Sequence, residues 1–361
     1  MEVDKPAAGM DSPATSIVVS SDVWDMTLPW LPIYWDIDIL RRYKRAGFTF
    51  VSLTLQDWPP TFDGTRQAIE HYKELSKSAA SWLTFGSSLA DIDRGRRDGK
   101  LVLGLNSQET RLIGEDLALL GSLRELGMRH MLLAYNVRNL VADGCAEVAD
   151  AGLSNFGRQV VREMNRVGLI VDCSHTGRRS SLEAIEHSEH PVIFSHSNAH
   201  SVCPHIRNIT NEQINACAAR GGVIGVVGVG AFLGDAAART ISVFRHIDYI
   251  ATLVGPEHVG LGTDYVKIMP LSDYPADWAR IGASTKAWPD STNGWPDPTG
   301  TQLPVEASHC FMPEQLGELV RMMLDSGYSV ENVKGILGGN FRRVYSAAEV
   351  SGTPAAGQVV P

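Results

Sequence analysis

Short apolar runs alternate with longer stretches of helical periodicity along this chain of 361 residues. Eight runs read as strands: SIVVS (16–20), FTFVSLTL (48–55), LVLGL (101–105), RHMLLAY (129–135), LIVDCS (169–174), PVIFS (191–195), GVIGVVG (222–228) and HVGLG (258–262). Most are nearly continuous apolar runs, the pattern of strands buried on both faces of a parallel sheet. The segments between them read as amphipathic helices. In NFGRQVVREMNRVG (155–168), Phe156, Val160, Val161 and Met164 fall on one stripe. Eight β-then-α units over about 250 residues or more predict an α/β fold, a (β/α)8 TIM barrel. An open doubly wound sheet would usually carry a glycine-rich phosphate loop after its first strand, and SDVWDMTLPW has no glycine. The barrel is predicted to be a single domain over 16–347, with a long lid-like insertion at 265–313 in the last βα unit. Residues 1–15 and 348–361 are predicted to be disordered or flexible ends.

In such a barrel the chemistry sits on the loops that follow the strands. The predicted strand ends are rich in polar groups. They offer Asp22, Trp24 and Asp25, then Gln56, Asp57 and Trp58, then Asn106, Ser107, Gln108 and Glu109. Tyr135 and Asn136 follow, then Asp172 with His175, His196, and finally Asp264. His175 and His196 are 21 residues apart, one βα unit, so they end adjacent strands. Two imidazoles converging over a barrel mouth have the geometry of a metal site. From its position in GLGTD, Asp264 reads as a ligand or a general base rather than as a simple helix or turn cap. Trp24, Trp30, Trp35, Trp58, Trp278, Trp288 and Trp295 fall in predicted loops on this face, and Trp82 in a predicted helix. In the insertion, Trp288 and Trp295 are predicted to wall a pocket for a partly apolar substrate.

Charge and composition narrow the field. Lys and Arg number 32 against 41 Asp and Glu, a net charge of −9 with no basic run, which disfavours nucleic acid. The longest apolar stretch, Gly221 to Gly234, has 14 residues, short of the roughly 20 a membrane-spanning helix needs. No basic-then-apolar leader opens the chain, so a cytoplasmic location is expected. Five scattered cysteines without a CxxC argue against a disulfide framework and a zinc ribbon.

From Leu101 to about Tyr345 the chain resembles the membrane (renal) dipeptidase family of metallopeptidases, in its bacterial branch. The resemblance rests on RELGMRHMLLAYNVRNLVADGC, GLSNFGRQVVREMNRVGLIVDCSH, PVIFSHSNAHSVCPHIRNIT, VGPEHVGLGTDY and VKGILGGNFRRVY, in that order. It implies a TIM-barrel hydrolase of dipeptides with two bridged zinc ions, and a homodimer by analogy. His175 and His196 match two of the family's metal-binding histidines, and Asp264 its acid/base carboxylate. Arg207 matches an arginine that grips the substrate, and Tyr135 stands where better-known members have a substrate-contacting histidine. The family's first-strand His-x-Asp pair is missing, its place reading Trp24-Asp25-Met26. The bridging glutamate is replaced by Gln108, with Glu109 adjacent. Asp22, Asp25 and Glu109 are the candidates to compensate.

Three readings follow. In the first, the chain is a hydrolase of a dipeptide or related small amide with one Zn²⁺, Arg207 holding a substrate carboxylate through a bidentate pair. In the second, the same barrel runs a lyase, decarboxylase or epimerase step on a small aromatic or hydroxylated substrate. In the third it is a non-catalytic binding protein.

Overall fold

A computed structural model describes residues 13–29, 37–55, 61–265 and 308–351. Nine parallel strands form one sheet. They are β1 (Trp24–Leu28), β2 (Phe50–Leu55), β3 (Leu83–Phe85), β4 (Leu101–Ser107), β5 (Met128–Leu132), β6 (Ile170–Asp172), β7 (Ile193–Phe194), β8 (Val223–Val226) and β9 (Val259–Leu261). The path runs β1-β2-β4-β5-β6-β7-β8-β9, the eight-strand order of a (β/α)8 barrel. The ninth strand, β3, pairs with the first half of β4, and β5 joins β4 from Leu105 onward. Every residue of the eight path strands is buried, as parallel pairing under a layer of helices requires.

The first strand is not SIVVS. That segment is the end of a helix, Pro13–Ser20, with proline at its first position and Ala14, Ile17 and Val18 buried while Val19 is 76% exposed. The i, i+3, i+4 spacing of those three apolar residues outweighs the strand preference of Ile and Val once a neighbouring helix (Leu316–Asp325) covers them. The strand is the next segment, WDMTL, and β3 was not anticipated. Trp82 lies in the turn before β3 rather than in a helix, with the Arg41 guanidinium 5.2 Å from its ring. The helix Asn155–Val167 forms as predicted, capped by Ser154 and ended by Gly168 in the left-handed conformation. The first described helix begins at Pro13 and the last runs Asn340–Ser351, so both extend past the predicted frayed boundaries. Most of the predicted insertion, 266–307, lies outside the described residues.

Two features of the barrel set up its mouth. At the N-terminal end of the strands, Trp24, Phe50, Val102, Ile170, Ile193 and Val223 pack with Phe341, Val344 and Tyr345 of the last helix. At the seam between β9 and β1, Asp264 N–H donates to Thr27 O at 3.1 Å, and the Asp25 carboxylate ties the two together. Asp25 accepts from the amides of Thr27 (3.1 Å) and Thr263 (2.8 Å), from the Thr263 hydroxyl, and from Tyr43 Oη (3.0 Å). Removing it strands several buried donors, each costing about 1–3 kcal/mol. Asp25→Ala is therefore expected to lower stability by more than about 3 kcal/mol, read from urea unfolding. A loss under 1 kcal/mol would show that the seam closes without it.

Candidate active site

The barrel mouth is assembled from residues just past the strand ends. His175 lies three residues beyond β6, His196 two beyond β7, Asp264 three beyond β9, Tyr135 and Asn136 beyond β5, and Gln108 directly after β4. Asn136, His175 and Asp264 adopt φ of 60°, 60° and 51°. Left-handed backbone is uncommon away from glycine, and residues held there gather at functional sites.

His175 and His196 face one another, Nε2 to Nε2, at 2.9 Å. Each ring is fixed from behind. His175 Nδ1 meets Asn136 Oδ1 at 2.6 Å, and its face stacks on Tyr135 with centroids 4.2 Å apart. His196 Nδ1 meets Ser195 Oγ at 2.7 Å and Thr27 Oγ1 at 3.1 Å. An amide oxygen on Nδ1 selects the tautomer in which His175 Nε2 carries a lone pair aimed at its partner. Burial pushes both imidazoles well below the usual histidine range, and the Arg207 charge adds to it, so both are neutral at neutral pH. Gln108 Nε2 lies 3.4 Å from His196 Nε2. Close strand approach makes this possible: a Cβ on Gly225 or Gly262 would lie 2.0 or 1.8 Å from Ser195 O.

Arg207 is buried, and its two terminal nitrogens are already taken. Nη1 donates to Ser197 Oγ at 3.0 Å and Nη2 to His196 O at 2.6 Å, which leaves Nε without a hydrogen-bond partner among the described residues. The expected bidentate fork is thus engaged by the protein itself. Asn136 Nδ2 is a second buried donor without a hydrogen-bond partner among the described residues. Asp264 is half-buried as a residue, but its carboxyl group is enclosed. Burial pushes its carboxyl up to about 7, with Arg207 opposing the rise and Asp25 adding to it.

The other candidates lie elsewhere. Asp22 pairs with Arg96 at 3.0 Å and Arg342 at 3.7 Å, among residues at the opposite end of β1. Asp25 spends both oxygens on the seam. Glu109 turns into its own loop, where Oε1 accepts from Thr110 N (2.9 Å), Arg111 N (3.1 Å) and Asn139 Nδ2 (2.7 Å). Trp24 sits at the strands' N-terminal end, 4.7 Å from the Phe50 ring, not in a loop at the mouth. On β1 the residue that reaches the histidines is Thr27, because the register with β2 slips between Asp25 and Leu28 and turns it inward. No group of three or more His, Cys, Asp and Glu suited to a metal comes together among the described residues. Trp30, Trp35, Gln56, Asp57, Trp58, Trp278, Trp288 and Trp295 lie outside them. Sequence reasoning assigned no role to Thr27, Asn136, Ser195 or Ser197. Asn136 alone carried a signal, as a polar residue directly after a strand.

Comparison with known proteins gives a consistent picture. The sequence model of the membrane dipeptidase family (peptidase family M19) matches residues 30–276, beginning just after β1. The dipeptidase AclJ of Aspergillus oryzae is 28% identical over 292 residues, 79% of this chain and 61% of its own length. The dipeptidase TcpJ of Claviceps purpurea is 30% identical over 205 residues, 56% of this chain and 48% of its own length. The chain thus spans about half to three fifths of these curated relatives. An amidohydrolase from Pseudomonas aeruginosa superposes with a TM-score of 0.80 at 25% identity, covering 93% of this chain and 98% of that one. No described helix is long and apolar enough to cross a membrane.

Proposed function

This chain belongs to the membrane dipeptidase family, and from that premise we propose that it hydrolyses a dipeptide or a related small amide with one divalent metal ion, Zn²⁺ by family, held by His175 and His196. The observation that carries the reading is the convergence of two neutral Nε2 atoms at 2.9 Å, one of them fixed as a lone-pair donor by Asn136. That donor set fits one ion. It does not fit two, because the group beside His196 is the neutral amide of Gln108 where a bridge needs charge, Asp22 and Asp25 are committed elsewhere, and Glu109 is held in its own loop through Oε1. When bound, the ion would supply the Lewis acidity that activates water against an amide.

The chain's own side chains do the remaining work in this reading. Arg207 places a positive charge inside the mouth with no carboxylate bonded to it among the described residues, which suits a substrate carboxylate approaching Nε. Asn136 Nδ2 offers a second buried donor. Asp264, with its carboxyl near 7, both accepts and returns a proton near neutral pH. Tyr135 stacks on the His175 ring and helps fix its orientation.

A panel of dipeptides assayed with and without added Zn²⁺ tests the proposal. Zn²⁺-dependent release of two amino acids is expected, and full activity in chelator would overturn the metal's part. Gln108→Glu restores a charged oxygen beside His196 and is expected to raise the metal retained per chain. Unchanged metal content in that variant would remove Gln108 from the site. The absence of a carboxylate at the two nitrogens among the described residues favours one other reading, a lyase, decarboxylase or epimerase step. Product analysis separates the two, since only hydrolysis yields two fragments with water added.

A further inference from the structure

One layer below the histidines, the barrel interior is polar where such barrels hold branched apolar side chains. Thr54 and Ser52 of β2, Asn106 of β4, His130 of β5 and Asp172 of β6 are all buried. They form one connected chain. Thr54 Oγ1 donates to Asn106 Oδ1 at 3.1 Å, and Asn106 Nδ2 to Ser52 Oγ at 2.8 Å. Ser52 Oγ meets His130 Nε2 at 3.1 Å, and His130 Nδ1 meets Asp172 Oδ2 at 3.0 Å. The other oxygen of Asp172 accepts two backbone amides, those of Ser174 and Ser195, each at 3.0 Å.

Ser174 immediately precedes His175, and Ser195 immediately precedes His196. The ladder between β6 and β7 has a single registered pair, Asp172 with Ile193, so backbone pairing ends below the histidines. From there one carboxylate oxygen carries the connection between the two strand ends, and Ser174 Oγ adds to it by accepting His196 N–H at 3.0 Å.

We propose that Asp172 is the positioning residue of the histidine pair, setting His175 and His196 against each other through the amides that precede them, and that His130 in turn orients Asp172. The proposal rests on His175 and His196 being the working pair. It explains how a left-handed His175 persists, since such a backbone survives only where its surroundings over-determine it. Burial alone would raise the Asp172 carboxyl, yet its hydrogen bonds with His130 and Ser195 help hold it down at about 2, as a carboxylate. Hydrogen bonds from amides to a carboxylate are roughly twice as strong as neutral ones. Asparagine keeps an acceptor in place but loses that strength.

The full chain is compared with its Asp172→Asn and His130→Gln variants by Zn²⁺ titration against a chromogenic chelator and by the imidazole ¹H–¹⁵N resonances of His175 and His196. Asp172→Asn is expected to fold, to lose about 10–100-fold in Zn²⁺ affinity, the usual cost of removing an outer support, and to move both sets of resonances. His130→Gln leaves the Asp172 charge in place and touches neither ring, so movement of both sets there reports position rather than charge. A folded Asp172→Asn protein with wild-type Zn²⁺ affinity and unmoved resonances would overturn the proposal. If that variant does not fold, unmoved resonances in His130→Gln overturn it. Wild-type protein that takes up no Zn²⁺ would sink the one-ion reading of the site and leave this proposal to be judged on the resonances.

Discussion

Asp264→Asn is expected to cut turnover by about 10²–10⁴-fold, the usual worth of a positioned acid–base group, while bound metal stays nearly intact. Asparagine preserves shape and hydrogen-bonding capacity but carries no proton at neutral pH. The same variant has a second signature in stability. The folded carboxyl sits near 7, above the roughly 3.9 of an unfolded aspartate, so folding favours its protonated form. That contribution is fully present below about pH 4 and is lost as pH rises through about 7. Wild-type protein is therefore expected to lose stability relative to Asp264→Asn across this window, measured by chemical unfolding at stepped pH. If the metal leaves with the activity, Asp264 is a ligand instead. Full activity in the variant would leave the hydrolase reading without its proton carrier.

Elemental analysis is expected to find at most one divalent ion per chain, and none after dialysis of His175→Ala or His196→Ala protein. Each change halves a two-imidazole site, and the neutral neighbours Gln108 and Thr27 have no charge to make up the loss. Activity in either variant should fall to that of chelator-treated wild type. Both proteins are expected to stay folded, since Asn136 and Ser195 can turn their freed groups toward the space left behind. Two zinc ions per chain after mild purification would show that carboxylates outside the described residues, or a rearranged Glu109, complete a second site.

The sequence placed the histidines correctly because strand spacing is a local matter. Apolar runs mark the strands and 21 residues make one βα unit, so His175 and His196 had to stand side by side. It misplaced β1 for an equally local reason. Ile17 and Val18 favour strands, and only the helix lying over them makes their offsets of three and four residues from Ala14 the stronger pattern. That error moved the expected mouth residues of the first strand from Thr27 back to Asp22, Trp24 and Asp25.

What the sequence determined by itself is the barrel, the order of its path strands from β2 to β9 with β3 left out, and the ends of those strands that supply the mouth. Hydrophobic periodicity carries all of that. What only the tertiary structure decided is where each polar side chain points. Glu109 and Gln108 are neighbours in sequence, yet one turns into its loop toward Asn139 and the other toward His196. Asp25 and Thr27 lie two apart and would share a face of a regular strand, but a slip in register sends one to the seam and the other to the histidines. Arg207 meets partners ten and eleven residues away that no spacing rule connects to it. These directions depend on contacts between strands far apart in the chain, and hydrophobic pattern holds no information about them.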